Sequence, residues 1–333
     1  MMMQDMKLDW LTPPAMEETV KRIEAVSGTV EGPETLKAAL ADALGSKGKM
    51  YRPLLLLLCA GAPEHWLSRD RVISTAAAVE LTHTASLIHD DVVDDAPIRR
   101  GAPTVQSKYG KHAAVYAGDS LLASALCDLL AHGCAESAAE LLGCVKKMCA
   151  GEIAQMTNRW NTEVGLDAYF EAISGKTAAL FATACRLGAR EGGRSPGGVE
   201  ALGRFGYYLG MLFQLNDDLN DWTSDSARSG KAVNMDFFDG IFTYPAISIF
   251  ADPVLGPELK ALAAEAKRCG TSERLAERAR RIVEEAGGLK SCEQAIEGYS
   301  ASARLCLREL REDEGAVIVM ADCIDRFCAA RRG

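Results

Sequence analysis

Long apolar stretches separated by short polar or glycine-rich breaks run through the 333 residues, and their lengths suit helices better than strands. The clearest stretch, Val72 to Ile88, is mostly Ala, Val, Leu, Ile, Thr and Ser and holds no Gly or Pro, which predicts a long buried helix with Ser68 as its cap. Thr12-Pro13-Pro14 starts an earlier helix that runs to about Val26 and ends near Gly28, and a second runs from about Pro33 to near Gly45. Further helices are predicted at about Lys111 to His132, Ala135 to Arg159 and Leu166 to Arg190, then at Ser272 to Glu285 and Ser291 to Leu310. Ser174-Gly175-Lys176-Thr177 interrupts the Leu166 helix; a kink there frees backbone carbonyls and aims Lys176 and Thr177 into a cavity. Gly192 to Gly198 and Ser224 to Gly230 read as loops. No linker divides the chain, so one all-α domain over residues 1–333 is expected. The longest apolar runs, such as Pro53 to Pro63, fall short of a membrane-spanning helix.

Composition narrows this picture. Hydrophobic residues make up 48% of the chain and aromatics only 6%, a balance that favours packed helices over sheets. The net charge of −9 argues against a nucleic-acid partner, which needs a basic face. The eleven cysteines are odd in number and lack CxxC spacing, so they read as buried thiols in a reducing compartment, not as disulfides or zinc ligands. The N-terminus contains acids and lacks the apolar core of a signal peptide, and a cytoplasmic protein is expected.

The chemistry sits at the ends of two apolar stretches. Leu87 to Gly101 reads LIHDDVVDDAPIRRG, and Phe213 to Asp221 reads FQLNDDLND. Asp90 and Asp94 are four apart, so a helix projects both carboxylates from one face, where they repel. A hard divalent cation is the simplest way to stabilise them. Asp217, Asp218 and Asp221 repeat the spacing, and Asp90, Asp91 and Asp94 with these three are the candidate metal ligands. Magnesium held by few carboxylates leaves room for phosphate, which points to a metal-bridged diphosphate.

Two aspartate-rich motifs of this form, in this order, resemble the trans-isoprenyl diphosphate synthases (polyprenyl synthetases) from about Lys47 to Pro245. The resemblance implies a single large helical bundle of the isoprenoid synthase type with a central cavity, and a homodimer. It further implies about three magnesium ions per active site, with manganese as a possible substitute. Lys47-Gly48-Lys49-Met50-Tyr51-Arg52-Pro53 matches the family's GGKRxRP signature in part, with Lys47 and Met50 as departures. By resemblance Lys49, Arg52, His83 and Arg100 hold isopentenyl diphosphate, whereas Arg99, Lys176 and Lys231 serve the allylic diphosphate. Lys176, Thr177 and Gln214 lie near the reacting carbons in the family and are the candidate catalytic residues. His89 is read as structural, and Gly118-Asp119-Ser120-Leu121-Leu122 and Gly151 to Met156 as packing and support. Asp239 to Pro245 resembles an EGKxTLP run in which Ile241 replaces the lysine and Tyr244 the leucine, so one basic contact is missing.

The implied reaction is ionisation of an allylic diphosphate (dimethylallyl, geranyl or farnesyl) and head-to-tail attack by isopentenyl diphosphate. Ser86 and Ala85, four and five residues before Asp90, are small where short-chain members place aromatics, as are Thr82 and Ala78 below them. A product of C20 (geranylgeranyl) or longer is therefore expected, with the tunnel floor on a facing helix, at Leu126 or Leu129. A geranyl or farnesyl synthase is the main alternative. A class I terpene cyclase normally pairs DDxxD with an NSE-type triad, and a non-catalytic synthase subunit tends to lose the aspartates that are intact here.

Overall fold

A computed structural model describes residues 13–45, 48–223, 235–310 and 314–329. Thr12, the Ser224 to Gly230 loop and Lys231 lie outside the described residues. These residues are helical apart from one two-residue hairpin, as the all-α expectation requires. They cluster into two compact units. The first comprises Met1–Val145, Leu180–Gly203 and Glu309–Met320; the second comprises Lys146–Ala179, Arg204–Arg308 and Ala321–Gly333.

The first unit is built on α4 (Arg69–Val93), which packs against α1 (Pro13–Gly28), α3 (Tyr51–Ala60) and α6 (Lys111–Ala131). Ser68 caps α4 by accepting from the Arg71 amide at 3.5 Å. Val72, Ala76, Ala77, Ala78, Val79 and Leu81 are all buried, so the helix is apolar around its whole circumference and lies at the centre of the unit. Small side chains let α6 approach closely: Ala114, Ala117, Gly118, Leu121, Ala125 and Leu129 form its buried face. The His89 ring sits against Gly118, within 3.2 Å of the Val115 carbonyl and 3.3 Å of Asp119, so this histidine joins two helices as expected. Helix α6 is 21 residues long and contains an 18-residue window of mean hydropathy 1.4, so by length and composition alone it could cross a membrane. That corrects the sequence reading that no run reaches such a length. Asp119 and Asp128 interrupt the continuous apolar run, but the Leu, Val and Ala around them keep the average high. A short turn then leads from α4 to β1 (Ile98–Arg99) and β2 (Ala102–Pro103), followed by α5 (Val105–Tyr109). Helix α2 (Glu34–Gly45) and α9 (Ala179–Glu191) also belong here, the latter from Leu180 onward.

The second unit takes α8 (Leu166–Ile173), the C-terminal part of α7 (Ala135–Thr157) and that of α10 (Pro196–Thr223). Short helices α11 (Met235–Phe238) and α12 (Tyr244–Ile247) lead into α13 (Gly256–Cys269), α14 (Glu273–Glu285) and α15 (Gly288–Arg308). Ser272 caps α14, at the predicted boundary. Helix α16 (Glu314–Ala329) closes the described chain. Trp222, Phe237, Phe242 and Phe250 form a chain of ring contacts with centroids 5.0–5.6 Å apart, which anchors the C-terminal end of α10.

Candidate active site

The first acidic cluster belongs to the end of α4 and differs from residue to residue. Asp90 is half-buried, Asp91 is 5% exposed and Asp94 is exposed at the helix cap. Asp91 accepts from Arg99 Nε at 2.6 Å. Its charge is therefore committed to an arginine, while the other two carboxylates stand one turn apart on an accessible face.

Arg99 and Arg100 part company because the hairpin turn between β1 and β2 is left-handed. Arg100 has φ 52° and Gly101 has φ 78°, the signature of a type I′ turn. Arg99 folds back onto Asp91, and the Arg100 guanidinium lies against Gly48, where an added methyl would come within 2.8 Å of it. The glycine of the partial GGKRxRP match thus leaves room for the Arg100 guanidinium in its present position.

Around it the same unit gathers positive charge. The Arg52 guanidinium stacks 4.6 Å from the Phe181 ring centre, and its Nε has no hydrogen-bond partner. Burial pulls Arg52 down to about 10, opposed by Glu80. Burial, then Arg52, Arg100 and Arg99, hold His83 well below the usual histidine range, so its ring is neutral at neutral pH and offers one donor and one acceptor. Glu80, which the sequence reading passed over, is buried and raised by that burial, with Arg52 and Arg100 pulling it down. Lys49 is exposed, with Nζ 5.8 Å from the Tyr51 ring. A desolvated guanidinium with an unsatisfied N–H, a neutral histidine and a further arginine make a seat for an anion.

In the second unit the acidic triplet repeats that division of labour. Asp217 is exposed, Asp221 is half-buried and Asp218 is 3% exposed. Asp218 accepts from the Tyr169 hydroxyl at 2.5 Å and from Gln214 Nε2 at 2.8 Å. Burial lifts its carboxyl to about 7. A fourth carboxylate joins them: Asp236, on α11, is pushed up to about 8 by burial and then by Asp221, Asp218 and Asp217, with Lys176 pulling the other way. Such crowding of like charge is relieved by a divalent cation, and the donors are all oxygens. Among the described residues no three candidate ligands already form a metal cage. Asp236 carries no DDxxD signal, and Tyr169 has no sequence signal at all.

The predicted break after α8 is a π-helical turn over Ser174–Ala178, closed by the Ala179 amide on the Ser174 carbonyl. Two glycines seat it on α7. A methyl on Gly151 would meet the Lys176 amide nitrogen at 2.4 Å, and one on Gly175 would meet the Lys147 carbonyl at 2.6 Å. Lys176 Nζ donates to Glu152 at 3.1 Å and to Gln155 at 2.8 Å, so the α7 segment read as support holds this lysine directly. Thr177 is buried and its hydroxyl donates to Gln214 Oε1 at 2.7 Å. Lys176, Thr177, Gln214 and Asp218 are thereby brought together. Lys231 is outside the described residues.

The polyprenyl synthetase family model matches residues 33–278, a span that holds both acidic triplets, the arginine pair and the π turn. The chain belongs to the polyprenyl synthetase family. It is 36% identical over 223 residues to the heptaprenyl diphosphate synthase component 2 of Bacillus subtilis, covering 67% of this chain and 63% of that protein's length. With the component 2 of Geobacillus stearothermophilus it shares 37% over 238 residues, 72% of each chain. A solved polyprenyl synthase from Caulobacter crescentus, in complex with calcium and isoprenyl diphosphate, superimposes with a TM-score of 0.84 at 28% identity, covering 98% of both chains. The polyprenyl synthetase fold therefore extends over the C-terminal third, which in sequence matched only as a helical pattern.

Proposed function

We propose that this polyprenyl synthetase joins isopentenyl diphosphate head to tail to an allylic diphosphate, making an all-trans polyprenyl diphosphate. The observation that carries this is the common build of the two acidic triplets. In each, the middle aspartate is buried in hydrogen bonds and an outer one stays accessible, beside cationic side chains suited to diphosphate. Magnesium, when bound at Asp90 and Asp94 of the first unit and at Asp217 and Asp221 of the second, would supply Lewis-acid stabilisation of the leaving diphosphate. Asp91 and Asp218 hold neighbouring side chains in place. Lys176 and Arg99 add fixed positive charge near each cluster. Arg52, His83 and Arg100 bind isopentenyl diphosphate, and Lys49 reaches it from the surface. Incubation with isopentenyl diphosphate, each allylic primer in turn and magnesium should yield labelled polyprenyl diphosphates; no condensation with any primer would refute the reading.

The division between substrates has its own test. Arg100→Ala should raise KM for isopentenyl diphosphate by about tenfold, the loss of one charged hydrogen bond, and raise that for the primer less. Equal increases for both substrates would contradict it.

The product is C20 or longer in this proposal. Ala78, Thr82 and Ala85 are buried at 1–3% exposure and Ser86 is half-buried, and all four positions of α4 below Asp90 carry small side chains. Ala85→Phe should shorten the main product toward C15 while the first condensation stays fast, as chromatography of the dephosphorylated products would show. An unchanged length distribution would place the floor elsewhere, as at Leu129 of α6.

The active form is a homodimer, in the cytoplasm. Helix α6 leaves Val115, Tyr116 and Leu130 exposed, more apolar surface than one solvated helix needs. Light scattering of the purified chain should give twice the 35.7 kDa chain mass. A monomer would instead favour a different partner chain, in keeping with the name of the Bacillus relative, a synthase component 2.

A further inference from the structure

We propose that Asp218 and Tyr169 are positioning residues that set the direction of a hydrogen-bond chain, so that the Thr177 oxygen presents lone pairs, not its proton, to the positive charge that develops on the allylic carbon. The inference rests on the condensation proposed above.

Every donor in the chain points toward Asp218. The Tyr169 hydroxyl donates to Asp218 Oδ2 at 2.5 Å, and Gln214 Nε2 donates to Asp218 Oδ1 at 2.8 Å. Thr177 Oγ1 donates to Gln214 Oε1 at 2.7 Å. The structure puts a donor on each Asp218 oxygen, the Tyr169 hydroxyl on one and the Gln214 amide nitrogen on the other, so the carboxyl is the acceptor of both. The Gln214 amide is thereby fixed, nitrogen toward Asp218 and oxygen toward Thr177. Thr177 has a single hydroxyl proton and spends it on that oxygen. What remains on the hydroxyl is acceptor capacity, the polarity that stabilises a carbocation.

An amide at position 218 could reverse each step. Its nitrogen would donate to the Gln214 oxygen, the Gln214 nitrogen would then donate to Thr177, and the threonine proton would be released to face the cation. The pair of acceptor oxygens on Asp218 therefore sets the direction of the dipole two side chains away. Because Asp218 is 3% exposed and both its oxygens are taken, while Asp217 is exposed, orientation is its role and metal ligation falls to Asp217.

Tyr169 keeps the carboxylate from turning. It is buried, and its ring meets Tyr244 edge-on at 6.0 Å and Phe170 at 5.4 Å. The Tyr244 hydroxyl lies 3.3 Å from Ser291 Oγ, which ties that ring to α15. Tyr244 stands where the family pattern resembled here has leucine, so this chain supports Tyr169 through a contact of its own. The π turn carrying Thr177 is fixed independently by Gly151 and Gly175.

The test separates orientation from metal binding. Mn2+ binding in the presence of inorganic pyrophosphate is read from the free-ion electron paramagnetic resonance signal. Calorimetry with pyrophosphate compares a tertiary-ammonium analogue of the allylic cation with its neutral carbon isostere. Asp217→Asn should lose Mn2+ affinity. Asp218→Asn and Tyr169→Phe should keep Mn2+ affinity close to wild type, and Asp218→Asn should lose the preference for the ammonium by about tenfold, the worth of one charged hydrogen bond. Tyr169→Phe should lose part of it, and since phenylalanine fills the same space, that variant carries the test if Asp218→Asn does not fold. Loss of Mn2+ binding in Asp218→Asn equal to that in Asp217→Asn would make Asp218 a ligand and overturn the proposal. Full retention of the ammonium preference in the variants would overturn it alone. A wild type with no such preference would overturn it together with the condensation chemistry.

Discussion

Asp217→Ala should lower magnesium-dependent turnover by about a thousandfold or more while the protein stays folded, and Asp90→Ala should do the same. A metal that neutralises a leaving diphosphate contributes several kcal/mol to the transition state, and about 4 kcal/mol corresponds to that factor. The fold survives because Asp217 is exposed and Asp90 only half-buried, so neither carboxylate holds up the core. Removing them relieves repulsion with their neighbours and should, if anything, raise the melting temperature slightly. Asp91→Ala should behave differently. It strands Arg99, whose Nε now rests on Asp91 at 2.6 Å, and so costs stability as well as rate. Steady-state rates across a magnesium titration, paired with thermal melts, check all three. Near-normal turnover by Asp217→Ala at limiting magnesium would remove the metal from the mechanism.

Gly151→Val should be nearly as damaging for a purely steric reason. A methyl at residue 151 would lie 2.4 Å from the Lys176 amide nitrogen and 2.6 Å from the Ala172 carbonyl, and backbone atoms cannot swing aside as a flexible side chain does. The π turn must therefore lift off α7, taking Lys176 away from Glu152 and Gln155, and Thr177 away from Gln214. Overpacking of this kind costs about 1–3 kcal/mol of stability. Displacing reacting groups by about 1 Å costs about a hundredfold in rate. The rate loss should therefore exceed what the melting curve alone suggests, with KM for the allylic primer rising alongside. A Gly151→Val enzyme with wild-type kinetics would show that the seating of the π turn does not position these side chains.

Much of the frame was legible along the chain because the signals were local. The Ser68 cap, the glycine-free apolar run and the Asp90–Asp94 spacing each act within a few residues, and α4 starts where Ser68 predicts. The Gly175 break was legible for the same reason, although a break alone cannot distinguish a kink from a π turn. What stayed hidden was pairing between distant segments. Tyr169 and Asp218 are 49 residues apart, and nothing in either neighbourhood predicts their bond. Asp236 belongs to no motif, and only the placement of α11 brings it near Asp217, Asp218 and Asp221. Gly48 was visible as a motif residue, but its reason, the Arg100 guanidinium lying on it, depends on a left-handed turn at Arg100 that a non-glycine residue gives no sign of adopting. Glu80 carries no local signal, and only the folded unit shows it among Arg52 and Arg100.

The most direct measurement of the central claim is pyrophosphate release from an allylic diphosphate with and without isopentenyl diphosphate, each with and without magnesium. The account predicts rapid release when both substrates and the metal are present, one pyrophosphate for each isoprene unit added, and only slow release from the allylic diphosphate alone. Fast release that needs no isopentenyl diphosphate, or no release under any of the four conditions, would contradict it.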